Sequence, residues 1–143
     1  MFYNCTSLTT APTLPATTLL NCSNCYESMF EGCSSLTSSP QLPATILSNY
    51  CYQRMFSGCT SLISSPTLPA TTFNTGCYAA IFNNTNVIPD CNNIDFTNVT
   101  VIQSGVLTKL FEGTKVTDNI LRNILPINQS TNHYYLPVTT LSK

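Results

Sequence analysis

The cysteines of this chain are the residues whose type and spacing most invite a chemical reading. There are eight in 143 residues, and Cys22-Ser23-Asn24-Cys25 has the Cys-x-x-Cys spacing of zinc and thiol–disulfide sites. The same spacing does not recur. Ser48 and Asn74 stand where Cys22 would fall in later copies of the surrounding phrase. Cys25, Cys51 and Cys77 form one column of equivalent positions, Cys5, Cys33 and Cys59 another, and only Cys22 and Cys91 stand outside both. Columned cysteines are expected as buried thiols that pack like small hydrophobes, with disulfides between neighbouring repeats as the alternative.

Other candidate chemistry is sparse. His133 is the single histidine and lies beside no nucleophile motif. Glu27 and Glu31 are four apart and read as a solvated face, not an acid/base couple; Asp90 and Asp95 are isolated. There is no Gly-x-Ser-x-Gly, His-Glu-x-x-His or phosphate-binding glycine loop. The expectation is no catalytic residue, no metal ligand and no cofactor. Tyr26, Tyr52 and Tyr78 form a further column, readable as a ladder for stacking on sugars or as rings packed beneath neighbouring loops.

The elements that must position these residues repeat. Met-Phe-Tyr-Asn-Cys-Thr-Ser-Leu at 1–8 returns as Met-Phe-Glu-Gly-Cys-Ser-Ser-Leu at 29–36 and Met-Phe-Ser-Gly-Cys-Thr-Ser-Leu at 55–62. Leu-Pro-Ala-Thr follows at 14–17, 42–45 and 68–71. The last two full copies are 26 residues apart, and Ile81-Phe82 opens a fourth after the same interval. A fixed period of this size marks units that bury their apolar side only against their neighbours.

Within one repeat, residues 36–39 read as a strand of three or four residues, closed by Pro40 because proline cannot donate to a sheet ladder. The Pro-Gln-Leu-Pro stretch at 40–43 reads as an extended return. Residues 51–56 carry apolar side chains at i, i+1, i+4 and i+5, which predicts a helix of one or two turns, stopped by Gly58 as Gly32 stops its predecessor. Stacked in register, the repeats pile up Phe2, Phe30, Phe56, Phe82 and Phe111; Cys25, Cys51 and Cys77; Leu14, Leu42 and Leu68; and Leu8, Leu36 and Leu62 as core columns.

The junction Cys-x-x-Leu, then Leu-Pro-x-x-x-Leu, then Cys-Tyr-x-x-Met-Phe-x-x-Cys resembles the BspA-type leucine-rich repeats of bacterial surface proteins, found also in some phage proteins. The resemblance covers residues 1 to about 85 and carries no catalytic residue across. It implies an α/β fold, an open leucine-rich-repeat solenoid with short parallel strands and short helices; a parallel β-helix is the alternative. It also implies a surface location, on a cell or virion, and a binding role. The Pro-x-Leu-Pro-Ala-Thr-Thr stretch departs from the isoleucine-rich strand usual in that family.

Residues 1–85 hold the regular repeats, and 86–143 read as degenerate repeats continuing the same solenoid. Thr85 replaces the ladder cysteine, residues 94–99 alternate as a strand would, and residues 118–125 read as a helix ended by Pro126. Both ends fall inside a repeat, so a fragment of a longer chain, or ends covered by a partner, is expected.

Composition sharpens the functional expectation. Apolar residues make up 43%, enough for a core, but charged residues only 8% against about 25% in an average globular protein. Arg54 is the sole basic residue before Lys109, and the net charge of −1 argues against nucleic acid as partner. There is no 18-residue apolar run and hence no membrane span, and no signal peptide. What remains is a non-catalytic interaction or structural module, an adhesion or surface component. Its partner would be a protein or glycan on a cell surface, or other copies in an assembly. A carbohydrate-binding module using the tyrosine column is the alternative. The polar positions that vary between repeats, Thr13, Gln41 and Thr67 above all, are the expected binding face, with Tyr3, Glu31 and Ser57 varying as well.

Overall fold

The computed structural model describes residues 1–87, Ile94 and 109–114, together with the backbone of three further two-residue strands. Among the described residues, successive repeats lie side by side as tiers joined by backbone hydrogen bonds. The strands are β1 (Thr18–Leu19), β2 (Ile46–Leu47), β3 (Thr72–Phe73), β4 (Val101–Ile102), β5 (Ile127–Asn128) and β6 (His133–Tyr134). β1 pairs in parallel with β2, matching Thr18 to Ile46 and Leu19 to Leu47, and β3 pairs in parallel with β4. β5 and β6 pair antiparallel.

These strands do not fall where the sequence puts them. Residues 36–39 make only an isolated parallel bridge, Ser38 to Thr10, with Thr37 N–H donating to the Thr9 carbonyl at 3.4 Å. The regular pairing lies further on, after Pro-Ala-Thr. There a β-branched residue points out to solvent while the next leucine turns in: Thr18 and Ile46 are exposed, Leu19 and Leu47 buried. That alternation is what a half-buried strand needs, whereas Thr37 and Ser38 are both exposed and bury nothing. The strand expected over residues 94–99 lies outside the described residues apart from the buried Ile94, and so does the helix expected over 118–125.

The short helices are a second correction. No helix occurs among the described residues. Residues 51–56, and their equivalents, form a ribbon of overlapping turns. Met55, Ser57 and Cys59 N–H groups each donate three residues back, to the Tyr52, Arg54 and Phe56 carbonyls. The alternate N–H groups donate across to another tier. The Phe2, Phe30, Phe56 and Phe82 N–H groups reach the Met29, Met55, Ile81 and Leu110 carbonyls at 3.0–3.3 Å. Asn4, Gly32, Gly58 and Asn84 do the same toward Glu31, Ser57, Asn83 and Glu112 at 2.7–2.9 Å.

Such a ribbon demands left-handed backbone at alternate residues, and Tyr26, Ser28, Tyr52, Arg54, Tyr78, Ala80 and Lys109 all have φ between +50° and +65°. Left-handed backbone costs an L-residue roughly 1–2 kcal/mol, so the cross-tier bonds must hold it. Gly32 and Gly58 are also left-handed, at φ +74°, but they cap no helix. The Asn4 amide fills the space that a Cβ at residue 32 would take, and Asn84 does likewise over Gly113.

The core runs between the tiers. Phe2, Phe30, Phe56, Phe82 and Phe111 stack ring on ring, with centroids 5.5–6.0 Å apart and planes within 10°. Leu36, Leu42 and Leu62 are fully buried, Leu14 and Leu68 nearly so, and Leu8 is half-buried at the first tier.

Candidate functional site

The left-handed ribbon sets the geometry of one concave polar surface among the described residues. Ser28, Arg54, Ala80 and Lys109 occupy one equivalent position in four successive tiers, each with φ near +50°. Arg54 and Lys109 therefore stand two tiers apart with only the Ala80 methyl between them. The result is a groove of about 310 Å3, floored by Ala79 and Ala80 and walled by Gln53, Arg54, Ser57, Asn83 and Lys109.

The charges that line this groove are paired. Arg54 Nη2 donates to Glu31 Oε1 of the preceding tier, and Lys109 Nζ lies 3.2 Å from Glu112 Oε2. Asn83 is fixed from both sides: its Nδ2 donates to Glu112 at 2.9 Å, while its Oδ1 accepts from Asn84 Nδ2 at 2.7 Å and from Ser57 Oγ at 3.5 Å. Gln53 makes no side-chain hydrogen bond to any described residue. Sequence reasoning noted Glu31 and Ser57 as variable and Arg54 as the lone early cation, but missed the groove. Its signal was the small residue between two cations at one repeat position, visible only once that position is known to face outward.

Thr13, Gln41 and Thr67 are all exposed. Thr67 Oγ1 donates to Gln41 Oε1 at 3.1 Å, and Thr13 and Gln41 line one shallow cleft of about 160 Å3 together with Pro12, Pro15 and Pro40. The structure thus brings these three onto one surface. Tyr3 is exposed, Glu31 half-buried and Ser57 buried.

The tyrosine column faces the other way. Tyr26, Tyr52 and Tyr78 stack at 5.7 and 5.9 Å, but Tyr52 and Tyr78 are fully buried, so no sugar ring can lie on them. Burial raises both hydroxyl pKa values above the ordinary 10.

Cysteine chemistry divides in two. Cys22 and Cys25 are joined as a disulfide within one repeat, with Cα atoms 5.7 Å apart, so Cys25 is not a free ladder thiol and the bridge does not link neighbouring repeats. Cys33, Cys51, Cys59 and Cys77 are buried free thiols. Cys33 and Cys59 donate to the Phe2 and Phe30 carbonyls of the preceding tier at 2.9 and 3.1 Å. Burial pushes Cys59 and Cys77 up to about 12, which keeps them protonated and unreactive at neutral pH. Where Thr85 replaces the cysteine it stays buried and turns its hydroxyl back to the Phe82 carbonyl at 2.9 Å.

Among the described residues no three His, Cys, Asp or Glu side chains converge on a common point, and no helix is long and apolar enough to cross a membrane. No family model, curated protein or solved structure matches the chain.

Proposed function

We propose that this chain is a non-catalytic interaction module, an open repeat solenoid of the BspA leucine-rich type, displayed on a cell or virion surface. The observation that carries the reading is the separation of the side chains into two sets. Phenylalanine, leucine, tyrosine and cysteine of successive tiers meet inside, while exposed positions such as Thr13, Gln41 and Thr67 carry hydroxyls and amides. A stack of this kind offers many weak, uncharged hydrogen-bonding sites along one line, and binding strength comes from engaging several at once. The buried, protonated thiols supply no nucleophile to such a surface.

The test is retention of cells on a surface coated with the chain, across a panel of bacterial and animal cells, alongside light scattering for self-association. Retention or self-association that is lost in the triple variant Thr13→Asp, Gln41→Glu, Thr67→Asp, with its circular dichroism unchanged, supports the reading. No retention on any cell and a monomer at all concentrations overturns it.

A further inference from the structure

We propose that the groove over Ala79 and Ala80 binds a carboxylate-bearing saccharide, a uronic-acid unit of an acidic polysaccharide, between Arg54 and Lys109. This rests on the reading of the chain as an interaction module and names the ligand of one face. The chain has five basic residues in all, and two of them line this single groove. With so few cations, their placement at one repeat position, separated by an alanine, leaves a gap flanked by two cationic heads, each also paired with a carboxylate.

Both cations keep donors for a ligand. A guanidinium carries five N–H donors and an ammonium three. Arg54 directs Nη2 to Glu31, and Lys109 is paired with Glu112. Those carboxylates hold the cations and are not among the residues that line the groove. Gln53 brings an uncommitted amide, donor and acceptor together, which suits a sugar hydroxyl. Asn83, held by Glu112, Asn84 and Ser57, forms a fixed wall.

Size and lining select the class. A volume of about 310 Å3 is at the small end of ligand sites, and suits one or two sugar rings. No aromatic ring lines the groove, so a neutral sugar has nothing to stack on. The groove itself holds nothing apolar beyond its two alanines, so a peptide side chain has no anchor in it. Charge must then supply the affinity, and a carboxylate on a hydroxyl-rich ring meets both kinds of partner.

The experiment is calorimetric and NMR titration of the chain with a galacturonic-acid oligomer, its methyl ester and poly-glutamate. The acid oligomer is expected to bind, and esterification to weaken it about tenfold, the effect of losing charge-assisted hydrogen bonds. Ala80→Leu, which fills the gap and leaves every charge, is expected to abolish binding. Arg54→Met and Lys109→Met, both surface changes, should each weaken it about fivefold. Equal binding of acid and ester, or no binding of the acid, overturns the proposal. Equal binding of poly-glutamate also overturns it, in favour of an acidic peptide. Should cell retention persist while the acid oligomer fails to bind, the groove assignment falls and the interaction module stands.

Discussion

Replacing Phe56 by alanine is the most direct perturbation of the stack. Phe56 is fully buried and lies between two rings, Phe30 at 5.9 Å and Phe82 at 6.0 Å. Removing a buried phenylalanine costs about 3–5 kcal/mol. A chain of this length is stable by roughly 7–20 kcal/mol, so the loss is a large part of the whole. Phe2, only half-buried and stacked on Phe30 alone, should cost about half as much. The arrangement also fixes how losses combine. Phe30 and Phe56 touch, so a double-mutant cycle between them should give a coupling of about 0.5–1.5 kcal/mol. Phe30 and Phe82 are separated by Phe56, and their losses should add to within about 0.5 kcal/mol. Urea unfolding followed by circular dichroism measures all of these. If Phe56→Ala proves no worse than Phe2→Ala, or if Phe30 and Phe82 couple as strongly as neighbours, the ring stack is not what holds the tiers together.

Glycine substitution discriminates at finer grain. Gly32 and Gly58 share φ +74°, but a Cβ at 58 meets only ordinary contacts at 3.7 Å, whereas one at 32 displaces the Asn4 amide. Gly58→Ala should therefore cost about 1 kcal/mol of left-handed strain. Gly32→Ala should cost more, with the excess vanishing in an Asn4→Ala background; equal costs in urea titration would contradict this packing. Rising pH gives a third check. Cys59 and Cys77 have an ordinary thiol value of 9.0 when unfolded and about 12 when buried. Between those limits the native state holds protons that the unfolded state has lost, so stability is complete below pH 9 and falls as pH climbs toward 12. The urea midpoint should hold up to about pH 9 and drop from there as pH climbs toward 12. It should drop less in Cys59→Thr, the exchange that Thr85 already makes one tier on; a flat profile would count against buried thiols.

The side-chain columns were legible in the sequence because like residues at a fixed period have little choice but to meet. Phe30, Phe56 and Phe82, Leu36 and Leu62, and Tyr52 and Tyr78 all do so inside. The backbone between them was not. Apolar spacing at residues 51, 52, 55 and 56 fits one helical face, and it fits equally a ribbon that turns back every few residues. Periodicity reports which side chains are buried, not how the chain carries them there. A finer signal was available in the exchange of asparagine and glycine at positions 4, 32, 58, 84 and 113, since these two residues adopt left-handed φ most readily. The tyrosine, arginine and lysine at other left-handed positions gave no such warning, because cross-tier hydrogen bonding overrides their local preference. Of the candidate surfaces, Thr13, Gln41 and Thr67 were proposed from variability and from their place after the expected strand, and they are exposed. The groove beside Arg54 needed the ribbon first.

The direction of the cross-tier bonds gives the array an electrical sense. Among the phenylalanines and the asparagine or glycine two residues on, every cross-tier N–H points from an earlier tier to a carbonyl of the next; within the ribbon, Tyr52 and Tyr78 donate backward. Aligned peptide dipoles sum as they do along a helix. Among the described residues, the forward bonds outnumber the backward ones of Tyr52, Tyr78, Thr37 and Thr45, which gives a carbonyl-rich side toward the first tier and an amide-rich side away from it. Two such arrays meeting pole to pole would repel when like faces like. Any neighbour that extends the pile, within one chain or between chains, has to arrive with the matching polarity.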